Sequence, residues 1–168
     1  MEIALLPKSS LKIKGKNATF IVDPKDSALY TAALLVGSTS SDGVNEEMVV
    51  LDGPGDYEVG GVKISAVRSD AGVNYSLNVD GVDIVLGRIT SLEKLHSKMK
   101  EHNIVVALCD ESAASASFLT ALSSNAVLLY GEKAAETAQI FGETVKKASK
   151  YSTTKDKLPL EVETVVLE

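Results

Sequence analysis

Ser91 and Lys94 have a spacing at which a lysine amine could activate a serine nucleophile. The segment Ser91-Leu92-Glu93-Lys94 matches the S-x-x-K pattern, but the S-D-N and K-T-G motifs that accompany this pattern in serine acyl-enzymes are not in the sequence. Thr90 and Glu93 have the T-x-x-E spacing of a capping box, in which a hydroxyl and a carboxylate each accept a free backbone N–H at a helix start. We therefore interpret the segment as the start of a helix over residues 91–102 and not as a catalytic serine.

The single cysteine and the two histidines are the other residues that could act as a nucleophile, a base or a metal ligand. Cys109 next to an imidazolium could form a reactive thiolate. However, it ends the most apolar stretch of the chain, Ile104 to Cys109, and we interpret it as a small core residue. His96 and His102 are six residues apart, so they do not share one face of a helix closely enough to bind one ion. We expect no catalytic residue and no metal site here.

Asp110 and Glu111 follow the apolar segment 104–108, which we predict to be a buried parallel strand. In open α/β sheets the carboxyl ends of the strands are where ligand-binding groups concentrate. Asp110 could equally cap the next helix, with Glu111 stabilised by the helix dipole in the first turn. We favour the cap.

The elements that position these residues change character near Gly87. Residues 1–87 contain short alternating or apolar runs separated by turn residues, which is typical of a mainly antiparallel sheet. Asp80-Gly81 has the composition of a two-residue hairpin turn. After Gly87 strands alternate with helices, which predicts parallel pairing, and residues 132–147 read as a helix interrupted by Gly142. We expect one α+β domain over residues 1–168.

Composition excludes several classes of protein. The 168 residues include 17 basic and 23 acidic ones, for a net charge of −6, and an acidic chain is a poor binder of nucleic acid. No stretch approaches the roughly 20 apolar residues that a membrane span requires, and residues 1–6 do not form a signal peptide. With one cysteine, no internal disulfide can form. We expect a cytoplasmic protein that binds neither nucleic acid nor membrane.

The segment GPGDYEVGGVKI, Gly53 to Ile64, is a Gly-Pro-Gly turn followed by an edge strand. It resembles the GPGEYEVGGV-type segment of small bacterial proteins of the metallo-β-lactamase superfamily, in the branch of zinc-dependent hydrolases similar to ascorbate-phosphate lactonase. Three other segments occur in the same order as in that family: Ser9 to Gly15, Asp23-Pro24 and Leu86-Gly87. The resemblance implies a four-layer αββα sandwich, here shortened, with its active site at one edge between the two sheets.

The resemblance also implies that the metal ligands have been lost. Active relatives carry T-H-x-H-x-D-H on one loop, because two closely spaced metal ions need several ligands held rigidly together. The equivalent stretch here is 37–43, in which Ser38, Ser40 and Gly43 stand in the positions of histidines and only Asp42 keeps its identity. Arg88 occupies the position of the bridging carboxylate, and its fixed charge repels divalent cations.

At two further positions this sequence also lacks the histidine that the family has. Lys8-Ser9 replaces Gly-His-Ser, and Tyr130 or Gly131 replaces the last histidine. We therefore predict a protein without metal, cofactor or catalytic residues. Its role would be that of an interaction or self-associating module that contacts a protein partner. The contact patch could be a helix face at Ala134, Ala135, Ala138 and Ile140 near Phe141, which core packing explains equally well.

The former metal cleft has a second interpretation. Ser38, Ser40, Asp42 and Arg88 could form a residual hydrolase site or bind a small anion through hydroxyl and guanidinium hydrogen bonds. We favour the alternative that Arg88 pairs with Asp42 and fills the cleft, because an unfilled cleft would leave Asp42 poorly compensated. In both cases we expect the Arg88 guanidinium to lie inside the cleft.

Overall fold

The structure is a computed structural model that describes residues 1–37, 44–95, 97, 101–110, 115, 118, 123–140 and 145–168. Two β-sheets pack face to face, and two helices cover one of them. The strands are β1 (Glu2–Leu5), β2 (Leu11–Lys14), β3 (Thr19–Val22), β4 (Ala32–Leu34), β5 (Val49–Leu51), β6 (Gly55–Val59), β7 (Val62–Ser69), β8 (Gly72–Val79), β9 (Val82–Arg88), β10 (Ile104–Leu108), β11 (Ala126–Tyr130), β12 (Val145–Ala148), β13 (Lys150–Ser152) and β14 (Glu163–Leu167). The helices are α1 (Ile89–Leu95) and α2 (Ala134–Ile140), with 3-10 turns at Pro7–Ser9 and Lys155–Lys157.

The first sheet has the strand order β13-β1-β2-β3-β4-β5. Strands β1, β2 and β3 pair antiparallel, as expected. Strands β3, β4 and β5 pair parallel, which is the exception in a first half that is otherwise antiparallel, as predicted. The parallel pairing brings the carboxyl ends of β3 and β4 to the same edge of the sheet.

The second sheet has the strand order β12-β14-β11-β10-β9-β8-β7-β6. Its first four strands in the chain, β6 to β9, form antiparallel hairpins. The turn between β8 and β9 is Asp80-Gly81 at φ 54° and 80°, which confirms the predicted two-residue turn with positive φ at both positions. Strands β9, β10, β11, β14 and β12 are parallel, which confirms the predicted pairing of the second half. The GPG motif leads into β6, an edge strand as predicted.

The main core lies between the two sheets and is built by strict alternation along the strands. Phe20 and Val22 of β3 face Tyr75 of β8 and Leu86 of β9 within one buried cluster. The opposite face of the second sheet carries Val85, Val105 and Val127, which are covered by Ile89 and Leu92 of α1 and by Ala134 and Ala138 of α2.

The outer face of the first sheet is covered by loops in the part of the chain that the structure describes. Ile21 and Ala33 are buried there under Met48, Tyr30 and Val44. The arrangement of two packed sheets and few helices confirms the α+β class. Within the described ranges, no helix is long and apolar enough to cross a membrane.

One sequence prediction for the C-terminal third needs correction. Residues 145–147, predicted as the end of a helix, belong to the edge strand β12, which pairs with β14. Residues 150–152 form β13 and pair with β1. Together β12 and β13 carry the chain from one sheet to the other, with Ser149 between them.

Candidate functional site

The carboxyl ends of parallel strands from both sheets meet at one edge of the sandwich, and the candidate site lies there. In the second sheet, β9 ends at Arg88 and β10 ends at Leu108, and these two residues are register partners. In the first sheet, β3 leads to Asp23 and β4 leads to Gly37. Arg88 Nη2 donates a hydrogen bond to the Gly37 carbonyl at 2.8 Å, so the two sheets are joined at this edge.

Arg88 lies inside the cleft, as the sequence predicts. Its Nη1 donates to Asp110 Oδ2 at 2.7 Å, and its side chain is 16% exposed. Asp110 is two residues beyond Leu108, so the parallel register of β9 and β10 brings the two charges together. A short hydrogen bond between two charged, largely buried groups is among the stronger side-chain contacts in proteins, and it fixes the guanidinium plane.

Asp23 holds the other side of the cleft. Its Oδ1 accepts the N–H of Val36 at 2.9 Å, and its Oδ2 accepts the N–H of Gly37 at 2.8 Å. The residue is 6% exposed and has φ 47°, a left-handed conformation that aspartate tolerates better than most residues. The carboxylate therefore fastens the end of β3 to the end of β4, next to segment 38–43.

Two cavities flank the Arg88–Asp110 ion pair. The larger, of about 500 Å³, is lined by residues 35–37, by Asp52, by residues 68–73 and by Arg88. The smaller, of about 200 Å³, is lined by Lys8, Ser9, Asp23, Lys25, Gly37, Leu108, Asp110, Gly131 and Glu132. Gly37 lines both, whereas Arg88 lines the larger and Asp110 the smaller. The ion pair therefore forms part of the wall between them.

Strained backbone lines the smaller cavity. Lys8, Ser9 and Asp23 have φ of 61°, 60° and 47°, and non-glycine residues in this region cost on the order of 1 kcal/mol or more each. Such strain is kept only where the surroundings enforce it. Here Ser10 Oγ donates to the Asp23 carbonyl at 2.7 Å, which ties the turn at Pro7–Ser9 to the end of β3.

Tyr130 lies beneath the cleft at the end of β11. Its side chain is fully buried, and its hydroxyl has no hydrogen-bond partner among the described residues. Burial, and then the nearby negative charge of Asp23, raise the pKa of this phenol well above its usual range. Tyr130 is therefore a neutral phenol near Arg88, Asp23 and Asp110.

The structure brings together only some of the residues that the sequence singled out for this cleft. Arg88 is in place, but its carboxylate partner in the described residues is Asp110, which the sequence analysis favoured as a helix cap. Ser38, Ser40 and Asp42 lie outside the described residues, as does Glu111. The predicted pair Arg88–Asp42 and the predicted anion site on these serines stay predictions.

The prediction of Cys109 as a core residue is confirmed, whereas the predicted cap at the start of α1 needs correction. Cys109 is fully buried, and burial raises the pKa of its thiol to about 11. Ser91 is 1% exposed and accepts a hydrogen bond from Asn74 Nδ2 at 2.6 Å, whereas Lys94 Nζ lies 3.8 Å from Asp70. Because α1 begins at Ile89, Thr90 lies in the first turn and does not precede it, which corrects the predicted cap position.

His102 lies far from this cleft. It precedes β10, whereas Asp110 follows it, so the five-residue strand separates them by roughly 17 Å. His102 lines a different cavity, of about 550 Å³, on the outer face of strands β6 to β9. His96 lies outside the described residues.

Two residues of the cleft have roles that the sequence did not predict. Asp23 was named with Pro24 as part of the family pattern, but not as the acceptor of the Val36 and Gly37 N–H groups. Arg68 was not singled out, yet the chain has only two arginines, Arg68 and Arg88, and both line the larger cavity. Because only two of the 17 basic residues are arginines, this rarity could have drawn attention to Arg68.

The fold is metallo-β-lactamase-like. The chain is similar to a proposed zinc-dependent hydrolase of that superfamily from Thermotoga maritima, with a TM-score of 0.74, 16% identity, and coverage of 99% of this chain and 98% of that one. It is also similar to a proposed metal-dependent hydrolase from Parabacteroides distasonis, with a TM-score of 0.56, 14% identity, and coverage of 97% and 91%.

A larger protein shares the same architecture. A mutant of CmlA β-hydroxylase matches with a TM-score of 0.57 and 10% identity, over 99% of this chain and 52% of that one. No family model matches the chain, and neither does any curated protein. At these identities the likeness shows the fold, not the activity.

The described side chains of the cleft do not fit the metal ions that this fold holds in hydrolases. Among the residues placed by the structure, no group of three or more His, Cys, Asp or Glu side chains could hold an ion. Asp23 uses both carboxylate oxygens on backbone N–H groups, Asp110 is paired with a guanidinium, and Tyr130 is a buried neutral phenol. None of the three is an available ligand.

Proposed function

We propose that this chain is a metallo-β-lactamase-fold protein that has lost the metal-dependent hydrolytic centre and acts by binding. The observation that supports the proposal most directly is the ion pair Arg88–Asp110, at 2.7 Å in the cleft. A permanent cation placed there repels a divalent ion and occupies the carboxylate that could otherwise ligate it.

The cost of restoring a metal site supports the same proposal. Zinc would need Asp110, but drawing Asp110 away breaks its 2.7 Å ion pair with a guanidinium that is only 16% exposed. Zinc would also need Asp23, which would release the Val36 and Gly37 N–H groups and expose two unsatisfied donors. Without a metal-bound hydroxide the cleft lacks the nucleophile of the superfamily's hydrolases.

The mode of binding that the described surface supports best is recognition of a small anion in the cleft. The alternative, a protein partner or self-association through α2, has less surface than the sequence suggested. Ala134 and Ala138 are 2% and 3% exposed and belong to the core, which leaves Ala135, an exposed but small side chain, and Ile140 at 41%. Because the single cysteine is a free buried thiol, we place this function in a reducing compartment such as the cytoplasm.

Elemental analysis tests the loss of the metal centre. The full chain is expressed in medium supplemented with zinc, manganese and iron and purified without chelator. We expect less than about 0.1 equivalent of any of these metals, because the cleft lacks nitrogen and thiolate ligands. One equivalent of tightly held metal that is lost in Asp110→Asn would contradict the proposal. Glu132→Gln, on the exposed rim of the smaller cavity, is the matched control.

A further inference from the structure

Both arginines of the chain line the same cavity. The sequence holds 17 basic residues, of which two, Arg68 and Arg88, are arginines. Arg68 lies near the end of β7 and Arg88 at the end of β9. Both line the 500 Å³ cavity, whereas none of its described lining residues is a lysine. The guanidinium group binds phosphate and carboxylate through two parallel N–H donors, which an ammonium group does not.

The two arginines are held differently. Arg88 is fixed by Asp110 and by the Gly37 carbonyl. Arg68 Nη2 donates to the Asp52 carbonyl at 2.9 Å and forms no ion pair within the part of the chain that the structure describes. In a chain of net charge −6, a guanidinium without a carboxylate partner at a cavity wall is the group that an incoming anion would neutralise.

Two carboxylates line the same cavity among the described residues. Asp70 is on the rim, where its side chain is 96% exposed and lies 3.8 Å from Lys94 Nζ, and Asp52 is the other. Because Arg88 is already paired with Asp110, Arg68 is the guanidinium whose charge an incoming anion would neutralise.

The wall of the cavity is preformed. Gly72 has φ 129°, and a Cβ at this position would lie 2.8 Å from the Val36 carbonyl oxygen, so glycine allows the β7–β8 turn to approach β4 closely. Ser69 Oγ hydrogen-bonds to Ser91 Oγ, which fastens the same turn to α1. Tyr75 lies below, with its hydroxyl within 2.6 Å of the Leu51 carbonyl and 3.1 Å of the Leu35 carbonyl. A site whose walls do not move loses less entropy on binding.

We propose that this cavity binds a small organic molecule through a terminal oxyanion, a phosphoryl or carboxylate group held between Arg68 and Arg88. Its volume of about 500 Å³ is within the range of small-molecule sites, about 300–1,000 Å³, so the oxyanion would occupy one end and leave space for an organic part. The inference rests on the proposed function, because it requires Arg88 to stay in the cleft in place of a metal ion.

Calorimetric titration of the full chain, treated with chelator, tests the site with four probes. Inorganic phosphate and phenyl phosphate represent the phosphoryl group, and acetate and benzoate represent the carboxylate. We expect saturable binding of at least one phenyl probe with a Kd near or below about 1 mM, a value typical of fragments of this size. Affinity should fall as ionic strength rises, because charge attraction is screened.

Arg68→Gln is the decisive variant, and Lys63→Gln on the same strand is its control. Arg68 is exposed and has one backbone hydrogen bond, so the variant should keep the melting temperature of the parent and lose about tenfold or more in affinity. Lys63 lines the other large cavity, and its variant should bind as the parent does.

The binding results and the metal analysis together test the oxyanion site and the proposed function separately. Absence of saturable binding by all four probes up to about 10 mM, or equal affinity in Arg68→Gln and the parent, would overturn the inference. If the protein also proves free of metal, the proposed loss of the metal centre survives that failure, but small-anion recognition as the mode of binding does not. If stoichiometric metal is found while the chelated protein still binds through Arg68, the proposed function falls and the oxyanion site stands.

Discussion

Asp23 and Gly37 are joined by a hydrogen bond of 2.8 Å between the carboxylate of one and the backbone N–H of the other. The second carboxylate oxygen accepts the N–H of Val36, so one side chain satisfies two consecutive donors where β4 ends. The donors lie next to the loop that bears metal ligands in hydrolases with this fold. In this chain the carboxylate organises backbone, and that use is independent of any metal.

Asp23→Asn is expected to lower the free energy of unfolding by about 1–2 kcal/mol. Asparagine tolerates the left-handed φ of this position but has one acceptor oxygen in place of two, and hydrogen bonds to a charged acceptor contribute about 1.5–3 kcal/mol each. Urea denaturation followed by circular dichroism measures the change.

Asp26→Asn is the control for this substitution. Asp26 Oδ1 accepts a backbone N–H from Ala28 at an exposed position, and its variant should change stability by less than about 0.5 kcal/mol. Equal stability of the Asp23 and Asp26 variants would show that the two buried hydrogen bonds do not hold the end of β4.

Tyr75 and Tyr130 provide a matched pair for hydroxyl removal. Both are fully buried, but the Tyr75 hydroxyl lies against two backbone carbonyls, whereas that of Tyr130 has no partner among the described residues. Tyr75→Phe should cost about 1–2 kcal/mol, because a hydrogen bond is lost and carbonyls are left less satisfied. Tyr130→Phe should be neutral or stabilising. The same denaturation measurement tests both, and an equal loss in the two variants would contradict the assignment of Tyr130 as unpartnered.

Gly87 is expected to resist substitution because of Asn74. A Cβ at position 87 would lie 2.1 Å from Asn74 Oδ1 and 3.1 Å from Leu92 Cδ2, so Gly87→Ala must displace the side chain that anchors Ser91 of α1. We expect a loss of about 2–3 kcal/mol, typical of overpacking at a buried site. Gly53→Ala, where the nearest atom is Tyr57 Oη at 3.9 Å, is the control and should keep the parent's stability. Unchanged melting of Gly87→Ala would mean that Asn74 moves freely.

Local patterns predicted much of the sheet but not the pairs that depend on register. The Asp80-Gly81 turn, the edge strand after Gly53 and the parallel strands of the second half follow from turn chemistry and apolar periodicity. The pairing of Arg88 with Asp110 requires Leu108 and Arg88 to be partners across β9 and β10. The sequence alone does not define that alignment, and proximity in the family pattern favoured Asp42.

The edge strand β12 was not predicted from the sequence, and the reason is physical. Strand β12 carries Lys146 and Lys147 between Val145 and Ala148, so it lacks the alternation that marks a strand and resembles the end of a charged helix. Lysines on an edge strand prevent pairing with other chains. They are neutralised by neighbours here, with Lys146 Nζ at 2.5 Å from Glu163 and Lys147 Nζ at 3.1 Å from Glu168. The same lysines that protect this edge therefore make the strand difficult to predict from the sequence.

The raised pKa of the Cys109 thiol predicts that the protein loses stability in mildly alkaline solution. Burial raises the pKa of its thiol from 9.0 to about 11, so between these values the folded protein retains a proton that the unfolded chain has lost. The contribution of Cys109 to stability is complete below the pKa of the unfolded thiol and is lost as the pH rises through the folded pKa. Stability should therefore fall above about pH 9, by at most about 1.4 kcal/mol per pH unit.

The control must separate the thiol from the tyrosines, whose unfolded phenols ionise from about pH 10. Cys109→Ala removes the thiol and should abolish the decline between about pH 9 and pH 10, while leaving the steeper fall above that range. Urea midpoints of the two proteins, measured in steps of about half a pH unit, give the difference. If the urea midpoints of the two proteins change with pH in parallel across this interval, the thiol ionises alike in the folded and unfolded chains. Cys109 would then be accessible to solvent and not enclosed beneath α2.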